Sequence, residues 1–215
     1  MQIIPSMLVT NKDEFIEQIR AVQTAVDMVQ IDIADGIFVP NTTWRDPEIA
    51  AQELQIDCEL HLMVENPLEE ALLWKDVAGV KRVLFHYDAV GPDLISDTIS
   101  EIKGLGWQAG LVLNPDTPLD VVDPDAEQLD AVMFMGVHPG FQAQSYIPET
   151  TERMKTLKHT YPDLFVSLDG GVNMQTLPEI ITADIDAVCP GSAIFKNEHT
   201  PAQNVQMMKD FLIKL

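Results

Sequence analysis

The chain has 215 residues, 46% of them hydrophobic and 22% charged, an ordinary globular mixture that excludes disordered, collagen-like and low-complexity architectures. Its 34 acidic residues against 13 basic ones leave a net charge of −21, which argues against nucleic acid and anionic membrane surfaces as partners, because both need a positive footprint. Salt screens the global field beyond roughly 10 Å, so an anionic small molecule would need a local positive device.

In chain order, runs rich in branched or apolar residues fall near 2–8, 28–33, 57–64, 82–87, 108–113, 131–135, 164–169 and 186–190, predicting eight strands. Between them, helix-like segments fall near 12–25, 47–54, 67–78, 92–104, 117–122, 147–159, 174–182 and 201–214, several opened by Asn, Asp or Pro, as at Asn66-Pro67. This alternation implies parallel strands joined by right-handed crossovers. An open doubly wound sheet usually carries a glycine-rich first turn, and residues 5–12 contain no glycine. The expected fold is therefore α/β, one (β/α)8 TIM barrel domain over 1–215, with its chemistry at the C-terminal strand ends.

The N-terminal residues lack a basic flank, and no segment approaches the ~18 uninterrupted apolar residues of a membrane span, so a soluble, cytoplasmic chain is expected. Cys58 and Cys189 stand alone in apolar runs, without metal-type spacing, and read as reduced core thiols.

Alternation of faces puts Gln30 and Asp32 on one side of QIDIADG and Ile31 and Ile33 on the other. The same rule turns Glu59, His61 and Met63 inward from ELHLMV, and Ser167 and Asp169 inward from VSLDGG. Charged groups are rarely buried without partners, so Asp32, His61 and Asp169 converge either as a hydrogen-bonded plug or as a working site. Two carboxylates and an imidazole suit a divalent ion, and carboxylates held together tend to divide into one acid and one base. An acid facing a base is what a proton needs to leave one face of a carbon and return on the other. Glycine turns DGGVN, 169–173, and PGSAIF, 190–195, follow the last two strands and offer backbone N–H groups for a phosphate. HPGFQAQSY, 138–146, reads as a lid or a plain loop; His86 and His138 read as lone histidines, and Asp35 as a loop cap.

Taken together, PSMLVTN at 5–11, IDIADGIFVPN at 31–41, LHLMVENP at 60–67, LVLNPDTP at 111–118, HPGFQAQSY at 138–146, LDGGVN at 168–173 and GSAIF at 191–195 resemble the ribulose-phosphate 3-epimerase family. The resemblance implies a homo-oligomeric enzyme inverting C3 of D-ribulose 5-phosphate to give D-xylulose 5-phosphate. It implies Asp32 and Asp169 as the catalytic acid/base pair, and a divalent metal (Zn, Mn, Fe or Mg) on Asp32, His61, Asp169 and, weakly, Gln30. Ser6, His61, Gly140, Gly170, Gly171, Gly191 and Ser192 fall on substrate- and phosphate-binding positions.

Five departures accompany the resemblance. Gln30 stands where the family has a histidine, Ala34 where it has a methionine, GFQAQ where the lid reads GFGGQ, VTN at 9–11 where SAD is usual, and TWRDP at 43–47 replaces a more apolar stretch. An amide oxygen suits Mg2+ or Mn2+ better than Zn2+, and the loss of the methionine side chain at Ala34 is expected to enlarge one corner of the site. Two other readings stay open: a related epimerase acting on a ketohexose 6-phosphate such as D-allulose 6-phosphate, and a barrel that binds a sugar phosphate without turning it over.

Overall fold

The structure, a computed structural model, describes residues 1–139 and 144–213. Its strands are β1 (Gln2–Ile3), β2 (Ser6–Met7), β3 (Met28–Ala34), β4 (Asp57–Met63), β5 (Val80–His86), β6 (Gln108–Leu113), β7 (Ala131–Met135), β8 (Phe165–Asp169) and β9 (Ala187–Cys189). All neighbours pair in parallel, in the order β1-β9-β8-β7-β6-β5-β4-β3-β2. The two edge segments are halves of one barrel strand. Proline has no N–H to give to a ladder, and the run breaks at Pro5. On one side of the break Gln2 and Ile3 pair with Ala187 and Val188; on the other Ser6 and Met7 pair with Gln30 and Ile31. Bonds from Ile4 N to Val188 O, from Ser6 N to Pro190 O and from Gln30 N to Pro5 O run through the break and close the sheet. The result is a (β/α)8 TIM barrel, as the alternation of strand and helix predicts.

Face alternation divides the apolar residues into two layers. Ile31, Ile33, Leu60, Leu62, Val166 and Leu168 point outward into one core with Phe15, Ile19, Trp74 and Met154 of the helical layer. Ile4, Leu84, Val112, Met133, Met135 and Cys189 form a second cluster inside the barrel. Both cysteines are buried and free. Glu59 also points inward, but near the bottom, where it meets Arg82 at 2.8 Å, whose guanidinium lies 4.1 Å over the Phe165 ring. It is a buried ion pair one layer below His61, and the other Glu59 oxygen accepts from Cys189 Sγ at 3.7 Å.

Helices begin where the caps predict. The Asn11 side chain accepts from Glu14 N to start α1 (Lys12–Val22), and Asp46 accepts from Glu48 N and Ile49 N to start α2 (Pro47–Glu53). The TWRDP segment seats this second helix: Trp44 lies 4.6 Å from Phe15, and Arg45 pairs with Glu70 at 3.0 Å. Chain order continues with α3 (Pro67–Leu73), α4 (Tyr87–Val90), α5 (Ile95–Gly104), α6 (Glu149–Thr160), α7 (Leu177–Ile180), α8 (Ser192–Phe195) and α9 (Pro201–Ile213). Three segments depart from expectation. The helix read over 67–78 stops at Leu73; the one near 117–122 is a 3-10 run, Leu119–Asp125, where Pro118 and Pro124 withhold N–H donors; and that over 174–182 passes from α7 into a 3-10 turn, Ile181–Ala183. The short helices α4 and α8, each following directly on a strand end or its turn, carry too few residues to show a period. Among the described residues no helix is long and apolar enough to cross a membrane.

Candidate active site

The register of β2, β3 and β4 aligns Ser6 with Gln30 and Asp32 with His61, and β7–β8 pairing brings Asp169 to the same mouth beside Met135. The side chains meet. Ser6 Oγ donates to Asp32 Oδ2 at 2.7 Å, and His61 Nδ1 lies 3.0 Å from Asp32 Oδ1 and 3.4 Å from Asp169 Oδ2. Gln30 sits one layer deeper, fully buried. Its Nε2 donates to Asp32 Oδ1 at 2.7 Å and to Asp169 Oδ2 at 2.9 Å, and lies 3.4 Å from His61 Nδ1. On its far side, His61 Nε2 faces His86 Nε2 at 2.9 Å, so one proton is shared between the two rings.

These contacts set the charges. Burial alone would push the His61 imidazolium down, but hydrogen bonds and charge from Asp169 and Asp32 outweigh it and raise its pKa to about 9. Burial, and then the charge of His61, hold His86 well below the usual imidazole range, making it the neutral acceptor of the pair. Asp169 is raised, by burial first and by the Asp32 charge second, against the opposing pull of His61 and Gln30. Asp32 is saturated with donors, whereas Asp169 holds its proton more tightly than a free carboxyl. The two carboxyls therefore differ in their hydrogen-bond surroundings.

Ser6, Asp32, His61, Asp169, Gly170, Gly171, Gly191 and Ser192 all line one cleft at the barrel mouth, with Leu8, Met63, Met135, Val137, Val172 and Cys189 completing its walls. Gly170 and Gly171 have φ of +94° and +74°, the left-handed region that favours glycine. A Cβ on Gly171 would lie 2.7 Å from Tyr146 Cα, so that turn is pressed against the chain leaving the β7 loop. Among the described residues no lysine or arginine lines the cleft, so its positive character comes from the His61 imidazolium and backbone N–H groups. Pro139 and Gln144 border it, while Gly140 and the rest of 140–143 lie outside the described residues.

Other expectations are refined. Asp35 is a loop cap: Oδ1 accepts from Ile37 N and Phe38 N, and Oδ2 from Glu65 N. His138 lines a neighbouring surface hollow with Asp88 and Asn114, not the cleft. The corner beside Ala34 is not enlarged: Ala34 is buried against Val39 and Met63, with Leu8 and Phe38 packed on them, and does not line the cleft. Sequence reasoning missed His86, read as a lone histidine, although the strand parity that turns Leu84 inward also turns His86 inward. It missed Met135 and Val137 because AVMFMGV, 131–137, reads as plain core.

The donor set fits a divalent metal. Asp32, His61 and Asp169 offer atoms all within 4.8 Å of one another, and five contacts among Asp32 Oδ1, Asp169 Oδ2, His61 Nδ1 and Gln30 Nε2 run from 2.7 to 3.4 Å. Adjacent donors around an ion at 2.0–2.2 Å stand about 2.9–3.5 Å apart. One corner, however, is occupied by an amide N–H2 group, while Gln30 Oε1 is buried with no hydrogen-bond partner among the described residues.

A parallel barrel whose mouth holds two unlike carboxyls, an imidazole and two glycine turns belongs to the class of sugar-phosphate-type (β/α)8 enzymes. The comparisons narrow this. The family model described as the ribulose-phosphate 3 epimerase family matches residues 2–195. The chain is 35% identical over 204 residues to the ribulose-phosphate 3-epimerase, cytoplasmic isoform, of Oryza sativa subsp. japonica, covering 90% of this chain and 87% of that one. It is 33% identical over 200 residues to the chloroplastic ribulose-5-phosphate-3-epimerase of Arabidopsis thaliana (90% and 71%), and 32% over 183 residues to the ribulose-phosphate 3-epimerase of Escherichia coli strain K12 (82% and 80%). The chain belongs to the ribulose-phosphate 3-epimerase family.

Proposed function

We propose that this chain, one barrel domain over 1–215 acting as a cytoplasmic homo-oligomer, interconverts D-ribulose 5-phosphate and D-xylulose 5-phosphate by inverting C3. The observation that carries the reading is the pair Asp32 and Asp169, brought to one cleft from β3 and β8 and joined through Gln30 and His61, with Ser6 donating to Asp32. Asp32, surrounded by donors, removes the C3 proton and leaves a 2,3-enediolate. Asp169, whose proton affinity burial raises, serves as the acid and returns a proton to the other face. Asp32 then carries the proton that Asp169 has lost, so catalysis in the reverse sense uses the same pair with roles exchanged, and exchange with water resets it.

Substrate is anchored away from the chemistry. Backbone N–H groups of the turns at Gly170-Gly171 and Gly191-Ser192 take the phosphate, which needs no lysine there. Gly140, outside the described residues, is a further candidate for contact with the substrate. Ser6 fixes the rotamer of Asp32, and His86, by accepting from His61 Nε2, holds the imidazole with Nδ1 toward the carboxylates. Asp32, His61, Asp169 and Gln30 are the residues that would hold the metal. When bound, a divalent ion (Zn, Mn, Fe or Mg) supplies Lewis-acid stabilisation of the charge developing between the two proton transfers, of order several kcal/mol.

The test is conversion of D-ribulose 5-phosphate to D-xylulose 5-phosphate by purified protein with and without Mn2+, beside D-allulose 6-phosphate under the same conditions. Pentulose turnover exceeding hexulose turnover supports the reading. Hexulose preference, or binding of both sugars with turnover of neither under any metal, overturns it.

A further inference from the structure

The fully buried Gln30 carboxamide has one end bonded to both carboxylates and the other end unpaired among the described residues. An amide carries two donors on nitrogen and two lone pairs on oxygen, and its ends are nearly the same size. A half-turn of the terminal torsion therefore exchanges a donor for an acceptor at the same point of the cluster. With N–H2 inward, Gln30 gives hydrogen to Asp32 Oδ1 and Asp169 Oδ2 and does part of the work of a cation. With Oε1 inward, it would press a third oxygen against two carboxylates, an arrangement that needs a cation between them.

From this we infer that Gln30 is a two-position amide: its N–H2 group holds the carboxylate pair in the metal-free protein, and a divalent ion binds only with a half-turn that brings Oε1 inward as the fourth ligand. The inference rests on reading the cluster as a metal site. A histidine at this position has a ring nitrogen to offer a metal, but no such exchange of ends. Gln30 thus makes the metal-free barrel stable in its own right, makes metal binding weaker and reversible, and favours the oxygen-preferring ions Mg2+ and Mn2+ over Zn2+.

Two readouts, neither involving turnover, test it. In the 1H–15N spectrum, the Gln30 side-chain amide pair is identified by its loss in Gln30→Glu and followed in EDTA and in saturating Mg2+, beside the carboxyl 13C signals of Asp32 and Asp169. The expected result is that all three move together. Carboxyl signals that move while the amide pair stays would overturn the half-turn and leave the metal site standing; no movement of any signal, in the wild type and in Gln30→His alike, would overturn the site reading and the inference with it.

Thermal unfolding supplies the second readout. In EDTA, Gln30→Glu, which places a third carboxylate in the cluster, should melt several degrees below both wild type and the apolar, similarly shaped Gln30→Met. With Mn2+ it should rise above metal-loaded wild type and bind Mn2+ at least tenfold more tightly. Equal melting of Gln30→Glu and wild type in EDTA would show that the inward N–H2 group holds nothing together.

Discussion

Replacing Gly171 with alanine separates two effects that the turn after β8 combines. Gly171 has φ of +74°, and a new Cβ would lie 2.7, 2.8 and 3.0 Å from Tyr146 Cα, Cβ and N, two backbone atoms and the Cβ fixed to them, which cannot swing away as a side-chain tip could. Gly106, after α5, supplies the control: its φ is +86° and a Cβ there meets nothing within 4 Å. Left-handed strain alone costs about 1–2 kcal/mol, and overpacking against fixed atoms adds about 1–3 kcal/mol. At roughly 2–4 °C per kcal/mol for a chain of this size, Gly106→Ala should lower the melting temperature by about 4 °C and Gly171→Ala by about 10 °C. The functional consequence is separable too. Gly171→Ala displaces a turn lining the cleft and should weaken sugar-phosphate binding, measured calorimetrically, by at least tenfold, whereas Gly106→Ala should leave it unchanged. Equal melting and equal affinity for the two variants would refute the claim that Gly171 is fixed by the chain packed on it.

Three further outcomes follow from the charges. The His61 pKa is raised from 6.5 to about 9, so the favourable contact of its imidazolium with Asp32 and Asp169, across from neutral His86, is fully present below pH 6.5 and lost as pH rises through 9. Urea unfolding of the metal-free protein should show stability falling across that interval, while Mn2+ affinity rises as the proton leaves; His61→Gln should flatten both. Arg82→Met leaves the Glu59 carboxylate buried without its cation, beside only the weak Cys189 thiol donor, and should destabilise by about 3–5 kcal/mol, with Glu59→Gln in the same chain recovering part of the loss. His86→Phe keeps the ring stack near Phe38 and His61 but removes the acceptor for His61 Nε2. Metal affinity should fall about 10–100-fold with the fold intact by circular dichroism.

The barrel is readable in the residues because period-two alternation and helix caps are local. Ile31, Ile33, Leu60 and Leu62 declare one face, and Asn11 and Asp46 declare helix starts. Parity alone also brings Asp32, His61 and Asp169 together. What escaped it depends on partners far along the chain. Closure through a strand split at Pro5 is decided by which two edges meet. Glu59 obeys parity yet lies on the floor, because parity tells side and not depth. The space beside Ala34 is taken by Val39 and Met63, which only packing reveals. Gln30 was legible as a weak ligand, but its place as the donor joining both carboxylates is set by a rotamer that no pattern encodes.

The proposed epimerisation rests on two carboxyls that pass a proton across one carbon. The most direct measurement is deuterium incorporation at C3 of D-ribulose 5-phosphate in D2O with Mn2+, for wild type beside Asp169→Asn. Wild type should introduce deuterium into both epimers, and Asp169→Asn should form no D-xylulose 5-phosphate while retaining phosphate affinity within a few-fold. Epimerisation by Asp169→Asn at the wild-type rate, or product formed by wild type without deuterium at C3, would contradict it.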